Sequence, residues 1–514
     1  MTGYAKMTAA RSVRNVLSNW GGFFFTAVIG FFLAPYVLRK LGTTPYGVWV
    51  LLASLVGYLG LLDLGVRSAV TKFIASYHSA GNHEGASAMK SAALFMFTVA
   101  GFLAISLAVG ISPFVDRIFT IPPELETTAR IVIVVCAANI AVALIGGVYG
   151  GILAARHRFD LLNLVDVALV IARSTAIVVA LEAKHGIVSL AVIQLLSSTS
   201  QMLLIRTLSF QAYPEAVTTM QQAFCTENIR KLFSFGLISS SIHILGAVAH
   251  NSALIIIGSL LPVALVTYFS IAQSLTEYAR TLMSGISQTI TPMVGAMDGA
   301  QQSNSVGRVF VDGTRYANLV ILPIVATFIV RGESFISLWM GAEYSKLSGQ
   351  ILVILSISLW AMAGYQICTS IMIGLGKHRG MVPIFGFEAL ANIGLSISLI
   401  SVIGVIGAAW GALIPRLIVA LILSVMYAKK VLLISFGEYY LNAIVRPIIA
   451  ILPFAVVSYG LDELWLAKNL VVFFLQVTLV FPVAMAGIWI FALEPAERIT
   501  CVRTAKRLGN FKVS

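Results

Sequence analysis

The chain has 514 residues, 59% of them hydrophobic and only 11% charged, with 34 Lys+Arg against 21 Asp+Glu and a formal net charge of +13. Soluble globular domains carry about 25% charged residues, so this chain cannot face water all round and reads as an integral membrane protein. That excludes a soluble multidomain enzyme, a disordered scaffold and a secreted disulfide framework.

A bilayer-crossing helix takes ~20 mostly apolar residues, and about fourteen such stretches follow one another. In order they are 16–38, 46–66, 91–111, 131–154, 159–181, 187–205, 232–257, 264–290, 316–336, 351–373, 381–402, 406–427, 444–460 and 470–491. Lys6, Arg11 and Arg14 precede the first, with no small-residue cleavage site close behind, so it reads as a start-transfer anchor. The longest outer connections fall at about 112–130 and 331–350, and the longest inner ones at about 67–90, 206–231 and 291–315. No soluble domain is left over.

With the N-terminus in the cytoplasm, inner loops and tails hold 23 Lys and Arg residues against 8 outside, and Arg173, Arg280 and Arg416 lie within spans. Arg315 counts among the inner cations and Arg331 among the outer ones. Positive-inside sorting predicts such a bias. It accounts for the net charge without nucleic acid, and an even span count leaves both termini cytoplasmic. Arg156-His157-Arg158 and Lys377-His378-Arg379 repeat at a distance of 221 residues, which maps spans 1–6 onto spans 7–12 in the same orientation. Parallel repeats of this kind occur in transporters. The expected fold is therefore all-α and polytopic. Two pseudo-symmetric six-helix bundles occupy 1–230 and 231–430, and two additional helices with a basic cytoplasmic tail occupy 431–514.

Ionisable groups inside a membrane are costly and survive where a cavity or partner receives them. Asp63 and Arg67 close the second span at the inner surface. Asp166 and Arg173 lie seven apart on the fifth span, as do His243 and His250 on the seventh; seven residues is about two turns, so each pair shares a face. Glu277 and Arg280 are three apart on the eighth. Glu388 and Arg416 have no partner on their own spans. Each acid–base pair can be an ion pair that merely neutralises itself, and each histidine a packed, hydrogen-bonded residue, or they can be part of a polar cavity. Interfacial depth favours the ion pair for Asp63 and Arg67; a deep position favours a substrate role for Glu277 and Arg280. Arginines in such a cavity suit a phosphate, and acids and histidines there could exchange protons. The polar run Ser197-Ser198-Thr199-Ser200-Gln201 reads as helix-to-helix glue.

Several chemistries are absent. The cysteines Cys136, Cys225, Cys368 and Cys501 stand apart without a C-x-x-C, so no metal or disulfide is expected, and no cofactor. There is no phosphate-cradling G-x-x-x-x-G-K-[ST], no H-E-x-x-H and no G-x-S-x-G. The first outer loop has no acid, which disfavours a polytopic glycosyltransferase. What remains is secondary transport or flipping rather than an enzyme.

The first two spans read Leu41-Gly42-Thr43-Thr44-Pro45-Tyr46-Gly47-Val48-Trp49, then Leu62-Asp63-Leu64-Gly65. After the fourth comes Arg158-Phe159-Asp160-Leu161-Leu162-Asn163, and the tenth ends in Gly374-Leu375-Gly376-Lys377-His378-Arg379. This combination resembles the polysaccharide transporter family, the Wzx-type flippases of lipid-linked oligosaccharides, within the multidrug/oligosaccharidyl-lipid/polysaccharide exporter superfamily. The resemblance implies two bundles rocking about a cavity in the bacterial inner membrane. The cargo would be an undecaprenyl-diphosphate-linked oligosaccharide, moved to the outer leaflet for surface polysaccharide such as lipopolysaccharide or exopolysaccharide. Its partners would be that lipid-linked saccharide, membrane lipid, and a polysaccharide polymerase or export machinery. Arg280, Arg173 and Arg416 would receive the diphosphate; Glu277, Asp166, Glu388, His243 and His250 would compensate charge or couple an ion, as in an antiporter; Asp63 and Arg67 would form an inner gate. The rival readings are an ion-coupled multidrug and toxin extruder of the same superfamily, a membrane enzyme of glycan assembly, and a scaffold for an envelope complex.

Overall fold

The computed structural model describes residues 25–215, 224–300, 303–499 and 503. Residues 16–24 of the expected N-terminal anchor, Lys6, Arg11 and Arg14 before it, and most of the basic tail lie outside these residues, as does the side chain of His243. Among the described residues every regular element is a helix. In chain order they are α1 (25–41), α2 (Thr43–Leu59), α3 (Val66–Ser79), α4 (His83–Ile111), α5 (Pro123–Ala155), α6 (Phe159–Glu182), α7 (Ile187–Ala212) and α8 (Thr226–Leu260). Then come α9 (Ala264–Gly299), α10 (Ser303–Trp339), α11 (Ala342–Gly374), α12 (Val382–Ile403), α13 (Val405–Ile418), α14 (Arg446–Leu464) and α15 (Leu470–Gly487). α13 runs on through a π-helical turn, Val419–Leu423, into the helical segment Ser424–Leu432.

Twelve helical stretches among the described residues are long and apolar enough to cross a membrane, against the fourteen expected. The first expected span lies partly outside the described residues. The eighth is α9, and it misses for a physical reason. Thr267, Ser270, Gln273, Ser274, Glu277, Arg280 and Thr281 recur at helical spacing and give it a polar stripe.

The helices outrun the expected spans, so several expected loops are short. The 331–350 connection shrinks to Met340 and Gly341 between α10 and α11, and most of 291–315 is helical. The expected span 46–66 breaks near its end. α2 stops at Leu59, one 3₁₀ turn covers Gly60–Asp63, and α3 starts at Val66. Leu64 (φ 46°) and Gly65 (φ 74°) are left-handed at this break. A Cβ on Gly65 would stand 2.6 Å from the Gly236 carbonyl oxygen of α8, so both conformation and space demand glycine.

The helices form two compact units, one up to Thr267 and one from Tyr268 onward. In the first, Phe97, Val148, Ile152 and Leu153 centre a core built on α3, α4 and α5. α4 comes close to α5 where a Cβ on Gly101 would lie 2.9 Å from that of Ala141. In the second, Gly407 and Gly411 form a G-x-x-x-G stripe on α13. A Cβ on Gly411 would fall 2.6 Å from the Ser396 amide nitrogen, so α13 packs onto the backbone of α12.

Candidate functional site

The candidate residues sort into two clusters, one in each unit. In the first unit α6 and α7 run antiparallel and carry a two-rung ladder of polar side chains. Gln201 Nε2 donates to Asp166 Oδ1 at 2.5 Å, and Arg173 Nη1 donates to Gln194 Oε1 at 2.9 Å. The partners are seven apart on each helix, so the rungs fall in one register. Asp166 and Arg173 thus share a face as expected, but each is engaged by an amide of the neighbouring helix rather than by the other.

This ladder borders two cavities that share Asn163, Asp166 and Gln201. The smaller, about 320 Å³, is also lined by Arg173, Gln194, Ser197 and Ser198. The larger, about 890 Å³, reaches Asp63, Arg67, Ser68, Thr71 and Phe159. Ser197, Ser198 and Gln201, expected as glue between helices, are therefore cavity residues as well. Phe159 and Asn163 of the basic-loop motif both point their chemistry here.

The Asp63 carboxylate accepts a hydrogen bond from the backbone N–H of Arg67 at 3.1 Å, fastening the first turn of α3. No salt bridge joins the two side chains among the described contacts. The Arg67 side chain instead lies over Gly147 and Gly150 of α5, where added Cβ atoms would stand 3.6 Å from its Cδ and 3.3 Å from its Nη2. The missing side chains of those glycines make its berth. His250 sits half-buried on α8.

In the second unit Arg280 grips Glu277 with two hydrogen bonds, Nε to Oε2 at 2.7 Å and Nη2 to Oε1. Both side chains are partly exposed, 38% and 37%. Glu388 and Arg416 find each other across α12 and α13, Nε to Oε1 at 2.6 Å. They are nearly buried, with side chains 2% and 13% exposed. The Arg416 guanidinium also lies 5.7 Å from the centre of the Tyr365 ring. Tyr365 is within electrostatic reach of Arg280, Arg416 and Glu388, which ties the two pairs into one cluster. Arg280 and Arg416 are thus each matched by a carboxylate rather than standing as bare cations.

Two charged residues have quite different settings from those expected. Arg331, counted as an outer-loop cation, is buried inside α10. Its Nη2 lies 2.8 Å from Asp462 Oδ1 and also reaches Gln476, and its guanidinium packs 4.6 Å from the Phe473 ring centre. Ser334 donates to the other Asp462 oxygen at 2.9 Å. Arg315, counted as an inner-loop cation, is 1% exposed and meets Asp312 at 3.1 Å and Glu497 at 2.5 Å. These two arginines join α10 to α14, α15 and the segment beyond. Sequence reasoning missed them because Asp462 and Glu497 lie well over a hundred positions away, and Asp312, three residues before Arg315, fell with it in a stretch that read as a loop. Gln194 was missed too, although its seven-residue spacing from Gln201 mirrors that of Asp166 and Arg173.

A family model described as "Polysaccharide biosynthesis protein" matches residues 39–349, more than half of the chain. The chain belongs to this family. The resemblance read from its motifs therefore holds. A Shigella flexneri protein named "Putative O-antigen transporter" is 21% identical over 420 residues, covering 81% of this chain and 98% of its own length. Among solved structures, the lipid II flippase MurJ in an inward closed conformation superposes with a TM-score of 0.74 at 14% identity, covering 93% of this chain and 98% of its own. An inward-facing multidrug resistance MATE transporter of the MOP superfamily gives 0.64 at 17% identity, covering 80% and 94%. These likenesses establish the fold. The chain is a multi-pass membrane protein of the polysaccharide biosynthesis family with the fold of MOP-superfamily transporters.

The family's motifs now have physical reasons. Gly47 lies against the Val263 backbone, and Thr267 donates to the Thr43 carbonyl at 2.7 Å, which fixes the start of α2. Asp63-Leu64-Gly65 makes the left-handed turn into α3 and fastens it.

Proposed function

We propose that this protein is a flippase that moves an undecaprenyl-diphosphate-linked oligosaccharide from the inner to the outer leaflet of the bacterial plasma membrane. It serves surface polysaccharide export and works by alternating access of two helical bundles, 1–230 and 231–430. Both termini are cytoplasmic. The observation that carries the reading is the polar α6–α7 ladder with its cavities, set within helices that are otherwise apolar. Charged groups kept inside spanning helices mark a substrate path, and family membership gives that path a saccharide context.

In this reading Arg280 and Arg416 receive the diphosphate. Glu277 and Glu388 hold them until the phosphate exchanges with the carboxylates, so the cavity is not left with bare charge between cycles. Arg173, Asp166, His243 and His250 act along the path, and Asp63 and Arg67 mark its inner end. Lipid-linked saccharide is the cargo, and a polymerase on the far side consumes it.

The test uses a deletion strain in which lipid-linked saccharides and surface polysaccharide are measured in the same cells. Loss of the gene should leave lipid-linked units accumulating while surface polymer disappears. The wild-type chain should restore both, and Arg280→Ala should not. The likeness to a multidrug transporter favours a second reading, extrusion of cationic compounds. Unchanged surface polymer with raised sensitivity to cationic drugs would select it.

A further inference from the structure

The two cavities of the first unit form one polar track, and we infer that this track is a saccharide site, binding the uncharged, hydroxyl-bearing part of the cargo rather than its phosphates. The inference rests on the transport reading above and specifies what one part of the path recognises.

Three observations carry it. The first is charge. The ionisable side chains lining the track are Asp63, Asp166, Arg67 and Arg173, two of each sign. A diphosphate entering such a track gains no net attraction, and each carboxylate repels it. A neutral ligand is not penalised.

The second is the distribution of hydrogen-bonding atoms. Each rung uses one atom of each partner. Among the described residues, Asp166 Oδ2 and Gln201 Oε1 take no further hydrogen bond and present acceptors at one rung. The remaining N–H groups of Arg173 and the amide nitrogen of Gln194 present donors at the other. A sugar hydroxyl both donates and accepts, so a polyhydroxyl ligand can satisfy both rungs, whereas a phosphate can only accept. The rungs are seven residues apart on α6, about 10 Å along the axis, so a single small polar group cannot reach both and a short oligosaccharide can.

The third is space. The cavity volumes, about 320 and 890 Å³, fall within the ~300–1,000 Å³ of small-ligand sites. Phe159 in the larger one gives an aromatic ring on which the apolar face of a pyranose can rest.

The experiment takes the full chain in lipid nanodiscs and measures saturation-transfer NMR with three neutral probes, maltotriose, chitotriose and mannotriose. Pyrophosphate is followed in parallel by ³¹P line broadening. At least one trisaccharide should show saturation transfer, and Gln194→Leu/Gln201→Leu should weaken its binding at least about tenfold, the loss of hydrogen bonds worth roughly 1 kcal/mol each. Pyrophosphate broadening should be the same in that variant as in wild type. Asn163→Ala, which leaves both rungs intact, should weaken the sugar signal while the protein still elutes as a single species, so that a folding defect in the double variant cannot decide the matter. Absence of transfer from all three sugars to wild-type protein, or undiminished transfer in both variants, would overturn the site, as would loss of pyrophosphate broadening in the ladder variant. Either result leaves the flippase reading to its own test in cells. A deletion strain that keeps its surface polymer would overturn that reading whatever the nanodiscs bind.

Discussion

Glu388 and Arg416 meet at 2.6 Å across the α12–α13 hairpin, although 28 residues separate them and neither has a partner on its own helix. The hairpin turns at Gly404, which has a positive φ of 64°, and Gly407 and Gly411 let α13 lie on the backbone of α12. A contact between two glycines and a backbone therefore sets the distance between two buried charges. Gly411→Val should pry the helices apart and separate the pair. Overpacking costs about 1–3 kcal/mol, and separating the charges adds to it. Thermal unfolding of purified protein should show Gly411→Val at least as destabilised as Glu388→Ala; an unchanged transition would mean the glycine does not hold the pair.

Arg416→Met alone leaves Glu388 as a buried carboxylate without its cation. Removing one member of a buried pair costs about 3–5 kcal/mol, whereas replacing both members is often close to neutral. Arg416→Met/Glu388→Leu should therefore recover most of the stability lost in Arg416→Met. If Arg416 receives diphosphate, the double variant should be stable and inactive, and transport in the complemented deletion strain separates the two effects.

Arg331, fully buried, and Asp462, whose side chain is 15% exposed, tie α10 to α14. Asp462→Ala should destabilise by about 3–5 kcal/mol, and Gln476→Ala by less, because Asp462 still holds the guanidinium. Limited proteolysis between α13 and α14 should speed up in Asp462→Ala if that anchor holds the C-terminal helices in place. Equal cleavage rates would show that packing alone holds them.

The Asp166–Gln201 rung gives a measurable coupling. Side-chain hydrogen bonds between membrane helices average about 0.6 kcal/mol and reach about 1.7. A double-mutant cycle on Asp166→Ala and Gln201→Ala should return a value in that range. A coupling near zero would show that the 2.5 Å contact adds nothing to stability.

Gly65→Ala should be costly for a local reason. The position is left-handed at φ 74°, and its missing side chain faces Ser240 and the Gly236 carbonyl of α8. The conformation alone costs roughly 1–2 kcal/mol for a residue with a Cβ, and the clash adds more. Gly42→Ala, also at positive φ but with nothing within 4 Å, isolates the conformational part. The larger drop in melting temperature should belong to Gly65→Ala.

Much of the fold was legible because a bilayer imposes one rule on every stretch: enough consecutive apolar residues, and a helix. That rule located most of the spanning helices. It also placed a span at 264–290, where α9 forms, although a polar stripe with Glu277 and Arg280 keeps that helix out of the twelve most apolar stretches. Helix ends beyond the apolar stretch leave no such signal, so α10 and α11 run through residues that read as loops.

The sequence by itself determined membrane class, helical content, family and the short catalogue of ionisable groups within spans, because each is a property of composition or of neighbours along the chain. It also placed Asp166 and Arg173 on one face, since helical geometry fixes what lies seven residues away. Tertiary structure alone decided which charge answers which. Arg416 took Glu388, Arg331 took Asp462, Arg315 took Glu497, and Arg173 took an amide rather than the aspartate on its own helix. Those choices depend on which helices pack side by side and in what register. Small residues such as Gly407 and Gly411 set that register by contact between helices, and such contacts are not written in the local sequence of the charged residues they bring together.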